Sequence, residues 1–387
     1  MRPSRRGFTL LEMLVVIVVV GLIAALLLPA ILRSRVSHGR SPCMNNMKQI
    51  AAAMIDFEGR RQRLPNYGTF ARMPADEKAG EVSELDFDNP RHSWVVDILP
   101  FLERSDISEN WTYGSPIAQT PGVADPSDPG YPNYHADGDR DRDAIDNYAL
   151  SHNYVSMLSC PDDGNAIDID GNLSYVLNCG FLESGVEQSW YRTKLDWDGD
   201  GAITDRDREY KRMTGVFWAG SLDGKSVEDR PYTFAEIQRG DGLSTTIMAT
   251  ENRNAGIAPN AGRAREQIDY DDFTWAYPDV RAVGFGIRTE DVCGDGSLAC
   301  PAPYSQPLKF SGINAQAETK KGDSPYPSSS HNGLVVVAFC DGRVRTISDS
   351  IDPRVWFALI TPRGQELPQN AEVGIFLKEQ QIAEDEF

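Results

Sequence analysis

An evenly spaced run of acidic side chains carries the clearest chemical signal in the sequence. Calcium takes about six to eight oxygen ligands, and a twelve-residue loop can supply them from positions 1, 3, 5, 7 and 12, the seventh through its backbone carbonyl. The residues at those positions are Asp196, Asp198, Asp200, Ala202 and Asp207. The spacing predicts one bound calcium ion as a cofactor; the alternative is a solvated acidic turn.

The same stretch, residues 196–207, resembles the calcium loops of EF-hand and dockerin proteins. Gly201 stands at the position of the sharp turn, and Ile203 stands at the apolar position two places later. The twelfth residue is Asp207 rather than Glu, as in dockerins, which implies a shorter reach to the ion. Thr204 can cap a helix that follows the loop. A single loop of this kind more often stabilises a structure than switches it.

His331, which follows three serines, is the residue from which an enzymatic function would be argued. Nucleophilic catalysis needs a base within hydrogen-bond reach of the nucleophile and a third group that orients the base. Adjacency in sequence does not supply that geometry, and the sequence has no Gly-x-Ser-x-Gly elbow, phosphate loop or His-Glu-x-x-His motif. We predict a structural hydrogen-bonding role for His331 and no enzymatic activity.

The N-terminus combines a basic leader with a long apolar segment that holds one carboxylate. Three arginines lie before Gly7, and residues 8–28 contain a single charged side chain, Glu12. As a helix, this segment would extend about 31 Å, enough to cross a bilayer core. An ionisable group there is unfavourable alone, so Glu12 is predicted to have a partner. The arginines predict a cytoplasmic N-terminus and place the rest of the chain outside.

This arrangement resembles the leader of type IV prepilins and of the pseudopilins of type II secretion. In those proteins prepilin peptidase cuts after the glycine, the new N-terminal Phe is N-methylated, and the Glu pairs with the amino group of a neighbouring subunit. The resemblance implies cleavage between Gly7 and Phe8, assembly through Glu12, and a single-pass protein of the bacterial inner membrane with a periplasmic or cell-surface head. A plain anchor or signal peptide is the alternative.

Charge and cysteine content limit the possible partners. The 38 Lys and Arg against 57 Asp and Glu give a net charge of −19, which excludes nucleic acid as a partner and favours cations. An even number of cysteines on an exported chain predicts disulfides, with Cys293 and Cys300 bracketing a short flexible loop. The six candidates are Cys43, Cys160, Cys179, Cys293, Cys300 and Cys340.

The elements that must position these residues begin with an N-terminal helix. Apolar residues recur at three- and four-residue spacing from Met47 to Phe57, which predicts an amphipathic helix that lies on a globular body. The predicted divisions are leader 1–7, membrane segment 8–28, helix continuation 29–59, extracytoplasmic head 60–369 with a loop insertion near 115–146, and acidic tail 370–387.

Short strand-like segments in the head predict an antiparallel sheet. They are Ser174–Cys179, Gly215–Ala219, Thr245–Thr250, Ala282–Ile287 and Leu334–Phe339, each bounded by turn residues. The last should form a hairpin, because Asp341 and Gly342 suit a tight two-residue turn. The predicted fold class is α+β and pilin-like, with a long N-terminal transmembrane helix packed on an antiparallel sheet with loop insertions.

Several short motifs together resemble a large bacterial family of prepilin-like proteins of unknown function. The matching residues are Cys43, Asn45, Asn46, Lys48 and Gln49; Cys160, Pro161 and Asp163; Tyr175 and Asn178; Asp241, Gly242, Ser244, Thr246 and Ile247; and His331, Gly333, Asp341, Gly342, Val344 and Arg345. Met47, Thr245 and Leu334 depart from the pattern. The resemblance implies a pilin-type anchor that carries an extracytoplasmic domain without an assigned activity.

The sequence therefore predicts a structural, pilin-like or pseudopilin-like component processed by prepilin peptidase, with other pilin-like subunits as possible partners. The main alternative is a surface-displayed module that binds glycan or protein and uses the anchor for export. A tethered hydrolase is a third and weaker alternative.

Overall fold

The computed structural model describes residues 10–73, 83–115, 147–256, 274–288, 312–314 and 325–368, except positions 165, 167, 168, 184, 185 and 187 and the side chains at 11, 12, 24–39, 148 and 149. The chain divides into two units, Met1–Pro42 and Cys43–Phe387. Several predicted features lie outside the described residues: Gly7, Phe8, the Glu12 side chain, Cys293, Cys300, nearly all of the 115–146 insertion, and the acidic tail.

Helix α1 spans Leu10–Arg61 and continues through Pro29 and Gly39 without a break. In the first unit, the apolar side chains described between Met13 and Ile23 are exposed. No helix among the described residues has an apolar stretch long enough to cross a membrane.

In the second unit, the last part of α1 is a core helix. Its buried side chains are Cys43, Met47, Ile50, Ala51, Ala53, Met54 and Phe57. They recur at three- and four-residue spacing, so they share one face of the helix, and that face is covered by the head. Cys43 forms a disulfide with Cys160, which cross-links the helix to a residue 117 positions later.

Eight strands lie in the described part of the chain, together with seven short helices after α1. The strands are β1 Gly68–Arg72, β2 Leu85–Ser93, β3 Tyr175–Leu182, β4 Gly220–Ser221, β5 Ile247–Glu251, β6 Gly284–Arg288, β7 Leu334–Phe339 and β8 Val344–Ser348. The helices are α2 Trp94–Ile98, α3 Ser105–Ser108, α4 Asn147–Ser151, α5 Asp205–Arg212, α6 Phe234–Arg239, α7 Val280–Val283 and α8 Pro353–Ile360.

The strands form two mixed sheets, which corrects the prediction of an antiparallel sheet. The larger has the order β6-β3-β5-β7-β8, and the smaller has the order β2-β1-β4. Strand β6 runs parallel to β3, and β4 runs parallel to β1, while the other pairs are antiparallel. A parallel pair needs a crossover of at least about a dozen residues. The chain between β3 and β6 is far longer than that, and short strand-like segments do not reveal direction.

Two predicted strands are also different in the structure. The segment from Ala282 begins in helix α7, and its remaining residues, from Gly284, belong to β6. The segment Gly215–Ala219 is irregular: the amides of Val216 and Phe217 both donate to the carbonyl of Asn178, at 3.2 and 2.9 Å. It therefore packs on β3 without forming a ladder of its own.

The hairpin of β7 and β8 turns differently from the prediction. The amide of Phe339 donates to the carbonyl of Arg343, and the amide of Gly342 donates back to the carbonyl of Phe339. Gly342 has a φ of 83°, whereas Asp341 does not adopt a positive φ. The loop therefore has three residues and ends in a glycine in the left-handed region, which is the next most common hairpin type after the two-residue turn.

Asn178 joins three parts of the head inside the larger sheet. Its side chain is buried and donates to the carbonyls of Ile247 and Ile360, at 2.7 and 2.6 Å, while its oxygen accepts from the amide of Gly180 at 3.0 Å. Gly180 has a φ of 67°, and a Cβ there would lie 2.4 Å from the backbone of Gly215. Asn178 thus fixes an irregularity in β3 that only glycine can accommodate.

Replacing Asn178 with alanine should lower the free energy of unfolding by about 3 kcal/mol, because each buried polar group left without a partner costs about 1–3 kcal/mol. Urea unfolding followed by tryptophan fluorescence measures the change. Asn110→Ala is the matched control, since its exposed side chain donates to the carbonyl of Asp106, and it should change stability by less than about 0.5 kcal/mol. Equal effects of the two variants would contradict this role.

Candidate functional site

The acidic loop before α5 folds around the side chain of Asp196. Oδ1 of Asp196 accepts from the amides of Gly199 and Asp200, at 2.8 and 3.2 Å, and Oδ2 accepts from the amide of Gly201 at 2.7 Å. Gly199 and Gly201 have φ values of 74° and 91°, which residues with a Cβ rarely adopt. The glycines thus let the backbone curl tightly around the first acidic residue.

Three of the predicted calcium ligands come together in this loop. Asp196, Asp198 and Asp207 each offer a carboxylate oxygen, and the three atoms lie within 4.8 Å of one another. That separation suits a shared cation with oxygen ligands at about 2.3–2.6 Å. Asp200 lies outside this group, and its Oδ1 accepts from the amide of Ala202 at 2.9 Å.

Asp207 closes the loop onto α5. Its Oδ2 accepts from the amide and the hydroxyl of Thr204, at 2.7 and 2.9 Å, and its Oδ1 accepts from the amide of Trp197 at 2.6 Å. Burial acts to raise the pKa of Asp207, but hydrogen bonds from Thr204 and from the amides of Trp197 and Asp198 outweigh it and hold this pKa below its usual value. Asp207 is therefore an ionised carboxylate.

A buried ion pair that the sequence did not reveal supports the same region. Nζ of Lys211 lies 3.3 Å from Oε1 of Glu183, and neither side chain is exposed. Glu183 also accepts from the Thr193 hydroxyl and the Lys194 amide, at 2.7 and 2.6 Å. Charged residues are seldom fully buried unless paired, so the pair fixes α5 against Glu183, directly after β3. A Lys on a polar helix gives no sequence signal of such burial.

His331 belongs to a second cluster, in which carboxylates face both nitrogens of its ring. Nε2 lies 3.1 Å from Oε1 of Glu251, and Nδ1 lies 3.2 Å from Oδ2 of Asp162. The other oxygen of Glu251 accepts from the amide of Val336 at 2.9 Å. Burial raises the pKa of Glu251 above its usual value, and His331 offsets only part of that rise.

The disulfide lies against this histidine, and the hydroxyls of Ser328 and Ser329 have other partners. Sγ of Cys160 is 3.6 Å from Nε2 of His331. The hydroxyl of Ser328 contacts Oδ1 of Asn252 at 3.1 Å, and the hydroxyl of Ser329 donates to the carbonyl of Leu334. This geometry orients the imidazole between the carboxylates of Glu251 and Asp162.

The remaining predicted residues have local roles. Cys179 and Cys340 are free and buried, and burial raises the pKa of both thiols, so they are protonated and poorly nucleophilic. Gly333 takes a φ of 75° two residues after His331. Asp341 accepts from the amide of Arg343 at 2.9 Å in the hairpin loop. The sequence did not predict the contacts of His331 with Glu251 and Asp162, because these residues are far apart along the chain.

Comparison with known proteins identifies two segments. The family described as "Protein of unknown function (DUF1559)" matches residues 40–354. The prokaryotic N-terminal methylation motif matches residues 2–28, and this motif implies processing by prepilin peptidase and association with a membrane. No curated protein and no solved structure matches the chain significantly. Because the first match extends over most of its length, the chain belongs to the DUF1559 family, and it begins with a prepilin-type methylation motif.

Proposed function

We propose that this protein is a pilin-like or pseudopilin-like structural component, anchored in the bacterial inner membrane, with its head outside the cytoplasm. The match of the methylation motif to residues 2–28 is the observation that carries this proposal. Prepilin peptidase cuts between Gly7 and Phe8, and Phe8 is then methylated. The apolar residues that follow supply the anchor.

The charge distribution supports a role in assembly. Glu12 is the single charged residue between Phe8 and Leu28, and a carboxylate at that depth is stable only with a partner. The amino group of a second processed chain supplies that partner. In this proposal the contact between copies is made through the N-terminal segment.

We also propose that the acidic loop binds one calcium ion. The convergence of Asp196, Asp198 and Asp207 supports this. Asp207 also belongs to the capping box of α5 with Thr204, so it joins the loop to that helix. Lys211 of α5 is paired with Glu183, which directly follows β3. A bound ion would therefore stabilise the contact between this part of the head and the larger sheet.

Processing at Gly7 is tested by the mass of the protein purified from membranes. The wild-type protein should begin at methylated Phe8, and Gly7→Val should leave the leader attached because the branched side chain obstructs the cut. Gly21→Ala is the matched control, since a Cβ at Gly21 meets no atom within 4 Å, and it should be processed normally. A wild-type N-terminus at Met1 or at Ile31 would contradict the proposal.

The role of Glu12 is tested by cross-linking in membranes. Glu12→Gln keeps the shape of the side chain but removes its charge, and it should abolish cross-links between copies while cleavage and export continue. Glu58→Gln provides a control in the second unit. Cross-links that persist in Glu12→Gln would refute assembly through this residue and would favour a tethered binding module.

Calcium binding is tested by thermal unfolding with and without the ion. At a free calcium concentration of about 100 times Kd, the wild-type protein should gain about 2.7 kcal/mol in its free energy of unfolding. Asp196→Asn should lose that gain, because Asp196 organises the loop. Asp205→Asn removes the same charge from a side chain that is 90% exposed. This variant should retain the calcium-dependent gain in stability. If calcium does not raise the unfolding temperature of the wild-type protein, the proposed site is wrong.

A further inference from the structure

Four buried side chains that can each donate a metal ligand converge around the disulfide. They are Cys43, Cys160, Glu251 and His331, and their ligand atoms lie within 4.8 Å of one another. None of the four is more than 5% exposed. Two sulfurs, one imidazole nitrogen and one carboxylate oxygen are donors that Zn²⁺ accepts in tetrahedral sites, and a site without an open position is typical of structural zinc.

The groups that contact these donors have the arrangement usually found around metal ligands. A histidine that binds metal almost always gives its other ring nitrogen to a carboxylate, a carbonyl or water, which fixes the tautomer. Here Asp162 faces Nδ1 of His331, so Nε2 points to the sulfurs. The amide of Val336 holds Oε2 of Glu251, which leaves Oε1 directed at the same point. The orientation of His331 and Glu251 thus supports a metal site independently of the distances between the four donors.

The disulfide and a metal are mutually exclusive at this position, because a metal needs both sulfurs as thiolates. Reduction by a dithiol breaks the bond between the two sulfur atoms, adds two electrons and two protons, and leaves two thiols, while the dithiol becomes a disulfide. Binding of a divalent cation then releases the two thiol protons to solvent. The three anionic donors and the doubly charged ion leave the site with one net negative charge.

We propose that, in the reduced protein, Cys43, Cys160, Glu251 and His331 form a buried site for one Zn²⁺ ion. The metal and the disulfide are then two alternative cross-links between the same points, Cys43 in α1 and Cys160 in the loop before β3. Either one holds the buried part of α1 in the head. A small recess lined by Cys160, Asp163, Glu251 and Arg253 borders the donors.

The test uses the full mature chain in detergent, reduced with a phosphine. The phosphine takes one oxygen atom from water as the disulfide becomes two thiols. Cobalt(II) serves as the probe, because thiolate ligands give it a charge-transfer absorption that oxygen ligands such as those of the acidic loop do not give. The reduced wild-type protein should bind one equivalent with this absorption, and the oxidised protein should not show it. Absence of the absorption after reduction would overturn the proposal.

Matched variants locate the ion. Cys43→Ser should abolish the absorption, whereas a variant with Cys293→Ser and Cys300→Ser should retain it. Asp162→Asn should weaken binding by about 10–100-fold, the usual effect of removing a group that orients a ligand. Asp170→Asn removes the same charge from a nearby exposed residue and should have no effect. If the absorption instead depends on Cys293 and Cys300, the site is elsewhere and the proposal is wrong.

A second measurement does not depend on how well a variant folds. In the reduced wild-type protein, Zn²⁺ should slow the alkylation of Cys43 and Cys160, as read by peptide mass spectrometry, without slowing that of Cys293 or Cys300. Circular dichroism before and after reduction shows whether the head has kept its structure. Equal alkylation rates with and without Zn²⁺ in a folded, reduced protein would also overturn the proposal.

Discussion

The head is held at one point where a covalent bond and a buried charge meet. The disulfide of Cys43 fixes the core part of α1, and His331 contacts that disulfide while it pairs with Glu251. Glu251 ends β5 and accepts the amide of Val336 in β7. Removing one partner of a buried pair leaves an uncompensated charge, which is strongly destabilising. Helix, loop and two adjacent strands therefore depend on one set of contacts.

The requirement that a buried charge be compensated also bears on how a chain with a net charge of −19 folds. Two buried acids in the described part of the chain are compensated locally and in different ways. Glu183 is paired with Lys211, and Asp207 is surrounded by amides and a hydroxyl. Burying these two acids costs little free energy, because their charges are neutralised or hydrogen-bonded where they lie. Carboxylates at the surface, such as the 90% exposed Asp205, remain in water.

Sequence reasoning located the local features better than the long-range ones. The acidic loop and the hairpin around Gly342 could be found because their signals lie within a few consecutive residues. The direction of β6 could not, because it depends on how a long crossover returns the chain. The hairpin loop was assigned one residue too short, since Asp-Gly also suits a type I turn closed by a left-handed glycine. The pair of Glu183 and Lys211 was missed because burial of a charge is decided by tertiary packing, which no local pattern encodes.

The strand order has a consequence for the time course of biosynthesis. Strand β3 lies between β5 and β6, and the far edge of the sheet is β8, which ends at Ser348. Contacts between distant segments form slowly, because chain entropy must be lost before they can stabilise anything. The methylation motif at residues 2–28 leaves the ribosome long before the last strands of the sheet have been translated. The N-terminal segment is thus synthesised before the larger sheet can be completed.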